Sequence, residues 1–290
     1  MLGLALGDAL GARFEGGPGA SAIWRVINAW KGELRWSDDT EMAIGLAESI
    51  VERGGVDADA LARRWAEGMT WGRGYGPGAR LLLERIRGGA DWREANRSVF
   101  PEGSFGNGAA MRAAPIGLFY RGSPESLDHA AEEASLVTHA HPLGMEGGLL
   151  IARATAMALD DAVAPSAMLA RLRDGARSAE YRDRIETALQ WVGAAPSNEE
   201  VVKRLGNSIK AHESAVTAVY AFCRFPADYA GMIEFVISLG GDTDTIGAMA
   251  GGILGAARGV AALPAEQLQR LEARDRIESL ALRLHAATPP

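Results

Sequence analysis

Apolar residues recur every three or four positions along most of the chain, which is the spacing of an α-helix with one buried face. The clearest case lies over residues 40–55, where one stripe contains Met42, Leu46, Ser49 and Ile50. An acidic pair precedes this stripe and two glycines follow it, which are typical start and stop signals of a helix. Similar patterns predict helices over residues 57–69, 77–87, 108–120, 125–137, 143–159, 165–173, 178–194, 199–205, 213–223, 228–239, 244–257 and 265–285.

Evidence for β-strands is thin. No segment alternates apolar and polar residues over the length of a strand between turn signals, and alanine, the strongest helix former, is abundant. No linker, low-complexity stretch or run of like charge marks a domain boundary. We therefore predict an all-α fold in a single compact domain that spans residues 1–290.

Glycine is unusually frequent for a helical protein, with 36 residues. In two places glycines recur every four residues: Gly3, Gly7 and Gly11, and then Gly247, Gly251, Gly255 and Gly259. A glycine inside a helix costs about 1 kcal/mol relative to alanine, so a compensating gain is expected. This spacing clears one edge of a helix and lets another backbone approach. We predict two closely packed central helices; chance spacing in a glycine-rich chain is the alternative.

Charge and cysteine content narrow the classes of function. The formal net charge is −7, with acidic and basic residues interspersed. Bare nucleic acid is not an expected partner, because neutralising its phosphates needs clustered Lys and Arg. A small phosphate-bearing ligand is still compatible with this charge, since backbone N–H groups or a metal can hold it. The single cysteine, Cys223, allows no intrachain disulfide and no cysteine metal site, and its apolar surroundings predict burial.

Two apolar segments resemble membrane signals only superficially. The first, MLGLALGDALG, has no basic region and runs into Asp8, unlike a secretory signal. The second, residues 246–262, is interrupted by Arg258 and is shorter than the ~20 apolar residues of a membrane span. Both segments fit buried helices of a soluble protein, and we expect a cytoplasmic monomer without membrane contact.

Two short acidic segments each precede a predicted helix. Residues 37–40 are Ser-Asp-Asp-Thr, and residues 240–245 are Gly-Gly-Asp-Thr-Asp-Thr. Either segment alone fits an N-cap, where oxygen acceptors and acidic side chains are favoured. Together they supply more carboxylates than capping needs, and crowded carboxylates repel one another unless a cation neutralises them. The oxygen-only ligand set favours Mg²⁺, Mn²⁺ or Ca²⁺ over zinc.

A glycine-rich loop supplies a third element. Residues 103–108, Gly-Ser-Phe-Gly-Asn-Gly, lead into a predicted helix. Exposed backbone N–H groups at such a place can hold phosphate, although a plain turn is an equal alternative. The loop lacks the Gly-Lys-Ser/Thr of a Walker motif.

Three single residues complete the candidate chemistry. Glu15 follows the first predicted helix, where a solvent-exposed glutamate is the usual outcome. His139 and His141 could be metal ligands, but their two-residue spacing suits one helix face poorly. We therefore favour a ligand-binding role for His139.

Five motifs in this order resemble the ADP-ribosylglycohydrolase family, which includes dinitrogenase reductase-activating glycohydrolase and the ADP-ribosylarginine and ADP-ribosylserine hydrolases. The motifs are GLALGDALGARFE, SDDTEMA, GSFGNGAAMRAAPIG, THAHP and GGDTDTIGAMAGGILGA. They cover nearly the whole chain, and five in order are far more specific than any one of them.

The resemblance implies an orthogonal multi-helix domain with two Mg²⁺ or Mn²⁺ ions in a central cleft. Metal binding is implied for Ser37, Asp38, Asp39, Asp242, Asp244 and Thr245, with Ser37 where the family often has Thr. Catalysis is implied for Glu15, together with Asp38 and Asp39. Binding of ADP-ribose is implied for Ser104, Phe105, Gly106, Asn107, Gly108, Met111 and His139.

The implied reaction is hydrolysis of the bond between the anomeric carbon of ADP-ribose and a protein or small-molecule acceptor. Glycosidic cleavage passes through an oxocarbenium-like state, which nearby negative charge stabilises. Two metals can orient ribose hydroxyls and lower the pKa of a water, and either this water or Glu15 would deliver the attack. The alternatives are a catalytically inactive relative that binds ADP-ribose or has a structural role, and a metal-dependent phosphohydrolase. These motifs do not fix the acceptor.

Overall fold

Sixteen α-helices and two short 3₁₀ helices form in residues 1–15 and 32–289, the part of the chain that the computed structural model describes. In chain order they are α1 (Leu2–Gly11), α2 (Asp38–Arg53), α3 (Ala58–Gly68), α4 (Pro77–Arg87), α5 (Trp92–Val99), the 3₁₀ helix Asn107–Ala109, α6 (Ala114–Phe119), α7 (Pro124–Leu136), α8 (Pro142–Ala158), α9 (Pro165–Asp174), α10 (Ala179–Gln190), α11 (Asn198–Arg204), α12 (Ala211–Arg224), α13 (Tyr229–Leu239), α14 (Thr243–Arg258), the 3₁₀ helix Val260–Ala262, α15 (Ala265–Gln269) and α16 (Arg274–Ala286).

The all-α prediction is confirmed. Extended pairing among the described residues is limited to two isolated bridges, Leu34 with Leu271 and Gly106 with Lys210. The helix termini carry the signals expected from the sequence. The Ser37 side chain caps α2 by accepting a hydrogen bond from the Asp39 N–H, and Gly54 ends that helix with a φ of 74°.

Two of the predicted helices are wrong in extent. Residues 108–120 are split between a 3₁₀ helix and α6, because Pro115 stands in the first turn of α6 and cannot donate to a preceding turn. Residues 265–285 are split between α15 and α16, because Leu271 bridges to Leu34 and Ala273 adopts a φ of 54°.

Two smaller errors concern other helices. Helix α10 ends at Gln190, four residues before the predicted end at residue 194. Helix α5 was not predicted, although Asp91 caps it by accepting from the Arg93 N–H and Glu94 lies in its first turn. Its eight residues are few for a periodic pattern to be recognised.

The two glycine-spaced helices, α1 and α14, pack directly on each other, as predicted. A Cβ added at Gly3 would lie closer than 3.0 Å to the carbonyl oxygen of Gly251, and one added at Gly7 would lie equally close to that of Gly247. Gly259 is different: nothing would lie within 4 Å of a Cβ added there, and this residue ends α14 with a φ of 67°. The helices run antiparallel, because Gly3 meets residue 251 and Gly7 meets residue 247.

This antiparallel contact decides where the acidic segments go. The carboxyl end of α1 reaches the amino end of α14, where the Thr243 hydroxyl donates to the Gly11 carbonyl at 2.9 Å. Both helices are almost entirely buried, and Cys223 is buried as predicted.

Among the described residues, every helix falls short of the length and apolar content that a membrane crossing requires.

Candidate functional site

A cavity of about 350 Å³ opens where α1, α2 and α14 meet the glycine-rich loop. Its acidic side consists of Glu15, Asp38, Asp39, Asp242 and Asp244. Its ligand side consists of Ser104, Gly106, Asn107, Gly108, Met111 and His139. Residues that are far apart in the sequence therefore share one cavity. A larger, polar groove of about 560 Å³ lies on another face of α2 and α3, away from this acidic side.

Asp8 joins α1 to the start of α2. Its fully buried carboxylate accepts hydrogen bonds from the backbone N–H of Ser37 at 2.9 Å and of Thr40 at 3.1 Å. It also accepts from the Thr40 hydroxyl at 2.5 Å. These bonds satisfy N–H groups at the amino end of α2. They hold Asp38 and Asp39 beside α1.

Asp39 and Thr245 link α2 to α14. The Thr245 hydroxyl donates to Asp39 Oδ1 at 3.3 Å. The other carboxylate oxygen, Asp39 Oδ2, is buried and has no hydrogen-bond partner in the described part of the chain. A buried carboxylate oxygen without a partner is costly unless a ligand satisfies it.

The second acidic segment is anchored to the glycine-rich loop. Asn107 donates from Nδ2 to Asp242 Oδ2 at 2.5 Å and to Ser214 Oγ at 2.9 Å. The Asp242 N–H donates to the Asn207 carbonyl at 2.9 Å. Asn107 therefore connects the two sides of the cavity.

Burial raises the pKa of every carboxyl in this cluster. The pKa of Asp38 rises to about 8, mainly by burial and then by repulsion from Asp8, whose own pKa rises to about 6. Burial, reinforced by neighbouring carboxylates, raises the pKa of Asp39 and Asp244 well above the ordinary value. Glu15 is less buried, and its pKa is also raised. Without a cation, ionising all of these acids together is unfavourable, because their negative charges are buried and repel one another.

The donor set fits divalent cations. Carboxylate oxygens of Asp8, Asp39 and Asp244 lie within 4.8 Å of one another, and so do those of Glu15, Asp242 and Asp244. Asp244 belongs to both groups, so the two sets are adjacent. Such oxygen-only sets suit hard cations. Among the described residues lining the cavity, the basic side chains are Arg112 and His139.

The glycine-rich loop lies against His139. A Cβ added at Gly108 would lie 2.5 Å from His139 Cε1, and one added at Gly106 would lie 3.4 Å from Nε2. The loop is held to the start of α12, because the Asn107 N–H donates to the Ile209 carbonyl at 2.9 Å and the Ala211 N–H donates to the Phe105 carbonyl at 3.0 Å. Glycine at these positions lets the backbone approach the imidazole.

Three sequence candidates lie outside the cavity lining. The Ser37 hydroxyl caps α2. The Phe105 side chain is 47% exposed and stands edge-on to His141, with ring centroids 5.6 Å apart. His141 Nδ1 accepts from the Leu143 N–H and caps α8. The ligand roles implied for Ser37 and Phe105 stay predictions.

Sequence reasoning missed several residues of the site, above all Asp8. The sequence did indicate it: Asp8 is a single carboxylate among apolar residues and glycines on a helix predicted to be buried, and a buried carboxylate needs a hydrogen-bond partner. Other missed lining residues are apolar or come from distant turns: Met42, Gly74, Leu82, Phe100, Thr138 and Ile209. Ordinary apolar residues carry no motif that distinguishes a cavity wall from a core.

The chain is similar to known proteins over most of its length. The family model described as ADP-ribosylglycohydrolase matches residues 1–290. ADP-ribosylhydrolase ARH3 of Xenopus tropicalis is 33% identical, over 91% of this chain and 87% of that protein. ADP-ribosylhydrolase ARH3 of Homo sapiens is also 33% identical, over 87% of this chain and 78% of that protein.

A solved structure is also similar. The chain described as "ADP-ribosylglycohydrolase-related protein complex" superposes with a TM-score of 0.76 at 31% sequence identity, covering 99% of this chain and 96% of that one. The family match, the relatives and the shared fold each extend over most of the sequence. The chain belongs to the ADP-ribosylglycohydrolase family.

Proposed function

We propose that this protein hydrolyses the bond between the anomeric carbon of ADP-ribose and an acceptor, releasing free ADP-ribose. One observation carries the proposal: carboxylates from three distant segments converge in a cavity that a glycine-rich loop also lines. A negative side suits the positive charge that develops on the sugar during glycosidic cleavage. A loop of small residues suits a diphosphate.

Divalent cations, Mg²⁺ or Mn²⁺, would be held by Asp8, Asp39 and Asp244 and by Glu15, Asp242 and Asp244, the two adjacent groups of oxygens. Asp38 and Thr245 stand beside them in the cavity lining. The unpartnered Asp39 Oδ2 supports this assignment. Bound there, the cations would supply Lewis-acid chemistry, orienting substrate oxygens and lowering the pKa of a water.

Glu15 is the residue of the cluster best placed to move a proton. It is only partly buried, whereas Asp39 and Asp244 are almost completely buried. A partly exposed carboxylate can reach a water, accept a proton from it during the attack and return that proton afterwards. The carboxylates around it would stabilise positive charge at the anomeric carbon.

Substrate binding falls to the ligand side of the cavity. Backbone N–H groups of a glycine-rich loop that precedes a helical turn can hold phosphate oxygens. Here that loop contains Ser104, Gly106 and Gly108, and His139 lies against it. Asn107 would keep the loop at a fixed distance from the acidic side, because it donates to Asp242.

The test is to incubate the purified protein and Mg²⁺ with peptides ADP-ribosylated on arginine or on serine, and with a small-molecule conjugate, and to measure free ADP-ribose. Release from any of them, abolished by a chelator, supports the proposal and identifies the acceptor. Binding of ADP-ribose without turnover would indicate a catalytically inactive member of the family. Release of inorganic phosphate would indicate a phosphohydrolase.

Two matched variants make the test specific. Asp242→Asn keeps the size of the side chain and an acceptor for Asn107, but removes a negative charge from the cluster. Asp161→Asn makes the same change at a surface residue with 82% side-chain exposure. Turnover should be lost in the first variant and unchanged in the second.

A further inference from the structure

Three connected buried side chains line the ligand side of the cavity. Arg112 is 1% exposed, Thr138 is 2% exposed and His139 is 8% exposed. Arg112 Nη2 donates to the Thr138 hydroxyl oxygen at 2.7 Å, and that oxygen lies 2.7 Å from His139 Nδ1. The acidic cluster and the glycine-rich loop do not account for this arrangement.

Arg112 is an unusual buried cation. It forms no ion pair among the described residues, and Asp38 is the carboxylate that acts on it electrostatically. Its guanidinium instead stacks 3.8 Å over the Trp65 ring and donates to Thr138 and to the Ala134 carbonyl. A guanidinium only donates hydrogen bonds. The Thr138 oxygen must therefore accept from Arg112.

The direction of the next hydrogen bond follows from hydrogen counting. Thr138 has one hydroxyl hydrogen, and the two neighbours of its oxygen in the described part of the chain are Arg112 and His139. If His139 Nδ1–H donated to the oxygen, the buried hydroxyl hydrogen would lack an acceptor, which costs free energy. If the hydroxyl donates to Nδ1, every group is satisfied. The Arg112 charge also polarises the hydroxyl and strengthens it as a donor.

We propose that Arg112, acting through Thr138, fixes His139 as the neutral tautomer with its proton on Nε2, so that Nε2–H donates to an oxygen of the bound ligand. His139 Nε2 has no hydrogen-bond partner among the described residues, and it lies beside Gly106 and Gly108 at the cavity. Burial, together with the Arg112 charge, lowers the pKa of His139 to about 3, which keeps the ring neutral.

This inference rests on the proposed function for the identity of the ligand, which would be ADP-ribose. A donor at Nε2 suits a phosphate or hydroxyl oxygen. It excludes His139 as a metal ligand through Nε2, because a protonated nitrogen has no lone pair to give. Arg112 and Thr138 are positioning residues, since neither acts on the ligand directly in this scheme.

The first measurement needs no ligand. Long-range ¹H–¹⁵N NMR of the histidine-labelled protein reports the tautomer of each of the five histidines, and His139→Gln identifies the His139 signals. We expect an unprotonated Nδ1 and a protonated Nε2. Thr138→Val should abolish this preference, and Thr138→Ser should restore it. A proton on Nδ1 in the wild type, or no change in Thr138→Val, would overturn the proposal.

The second measurement is binding of ADP-ribose by calorimetry. Thr138→Val should weaken binding about tenfold, the scale of one hydrogen bond to a charged group, and Thr138→Ser should recover it. The control is Thr155→Val, which removes an equally buried hydroxyl that bonds only within α8, to the Ile151 carbonyl at 2.8 Å. Equal affinities of Thr138→Val and wild type would refute the donor role of Nε2.

The two measurements separate the two proposals. If the wild type binds no ADP-ribose, the proposed function fails, but the NMR result still decides the tautomer. If ADP-ribose binds and the tautomer is wrong, only the inference about Arg112 and Thr138 fails.

Discussion

The contact between α1 and α14 can be tested with one methyl group. A Cβ added at Gly7 would lie closer than 3.0 Å to the carbonyl oxygen and carbon of Gly247, and 3.2 Å from the Ala248 nitrogen. All three are backbone atoms, so no side chain can rotate away. Gly7→Ala must therefore move one helix relative to the other.

The size of the effect follows from two opposing contributions. Alanine inside a helix is favoured over glycine by up to about 1 kcal/mol. Forcing an extra methyl group into a closely packed site costs about 1–3 kcal/mol, and contacts with rigid backbone belong at the upper end of this range. We expect Gly7→Ala to lower the free energy of unfolding by about 1–2 kcal/mol.

The assay is urea unfolding of the cation-free protein, with Gly68→Ala as the control. Gly68 ends α3, and nothing lies within 4 Å of a Cβ added there. That variant should be as stable as the wild type or slightly more stable. Gly7→Ala should also reduce turnover, because Asp8 is the next residue and α14 begins beside Asp242. An unchanged midpoint in Gly7→Ala would refute close backbone packing as the reason for the glycines.

Three further predictions concern the acidic cluster and its surroundings. Asp242→Asn should unfold at the same or a higher temperature than the cation-free wild type, because it removes repulsion; a large loss of stability would contradict this. Burial raises the pKa of Asp8 to about 6 and of Asp38 to about 8. Because the folded state binds these protons more tightly than the unfolded state, the cation-free fold loses stability as the pH rises from about 4 through 8. MgCl₂ should therefore raise the melting temperature more at pH 8 than at pH 6, and equal shifts would contradict this. Glu272→Gln should lower the free energy of unfolding by about 1–3 kcal/mol and reduce turnover. The reason is that Glu272 accepts two hydrogen bonds of 2.8 Å from Arg73, and the Arg73 carbonyl in turn accepts from the Asp38 N–H. Calorimetry and the ADP-ribose release assay would check the two effects.

Local signals in the sequence were sufficient for most of the helices. Helix α4 has the predicted bounds, with Pro77 at its start and Gly88 after its end. Errors arose where a distant contact interrupts a periodic pattern. The break between α15 and α16 depends on Leu271 pairing with Leu34, more than two hundred residues away in the chain.

The acidic part of the site was largely predictable because its carboxylates are close together in the sequence. Four carboxylates in two short segments leave few explanations other than a shared cation, and the structure brings all four to one cavity. The ligand side was predictable only through its glycine-rich loop. Leu82 and Phe100 line the same space, but an apolar residue looks alike in a cavity wall and in a core.

The sequence by itself determined the helices, the chemistry of the acidic segments and the glycine edges of α1 and α14, because these depend on side chains that are near neighbours in the chain. The tertiary structure decided which groups meet. Asp8 became part of the cluster through the start of α2, and Arg112 reached His139 through Thr138. The physical reason is burial: a hydrogen bond or a raised pKa depends on atoms a few ångströms away in space, and packing alone selects those atoms.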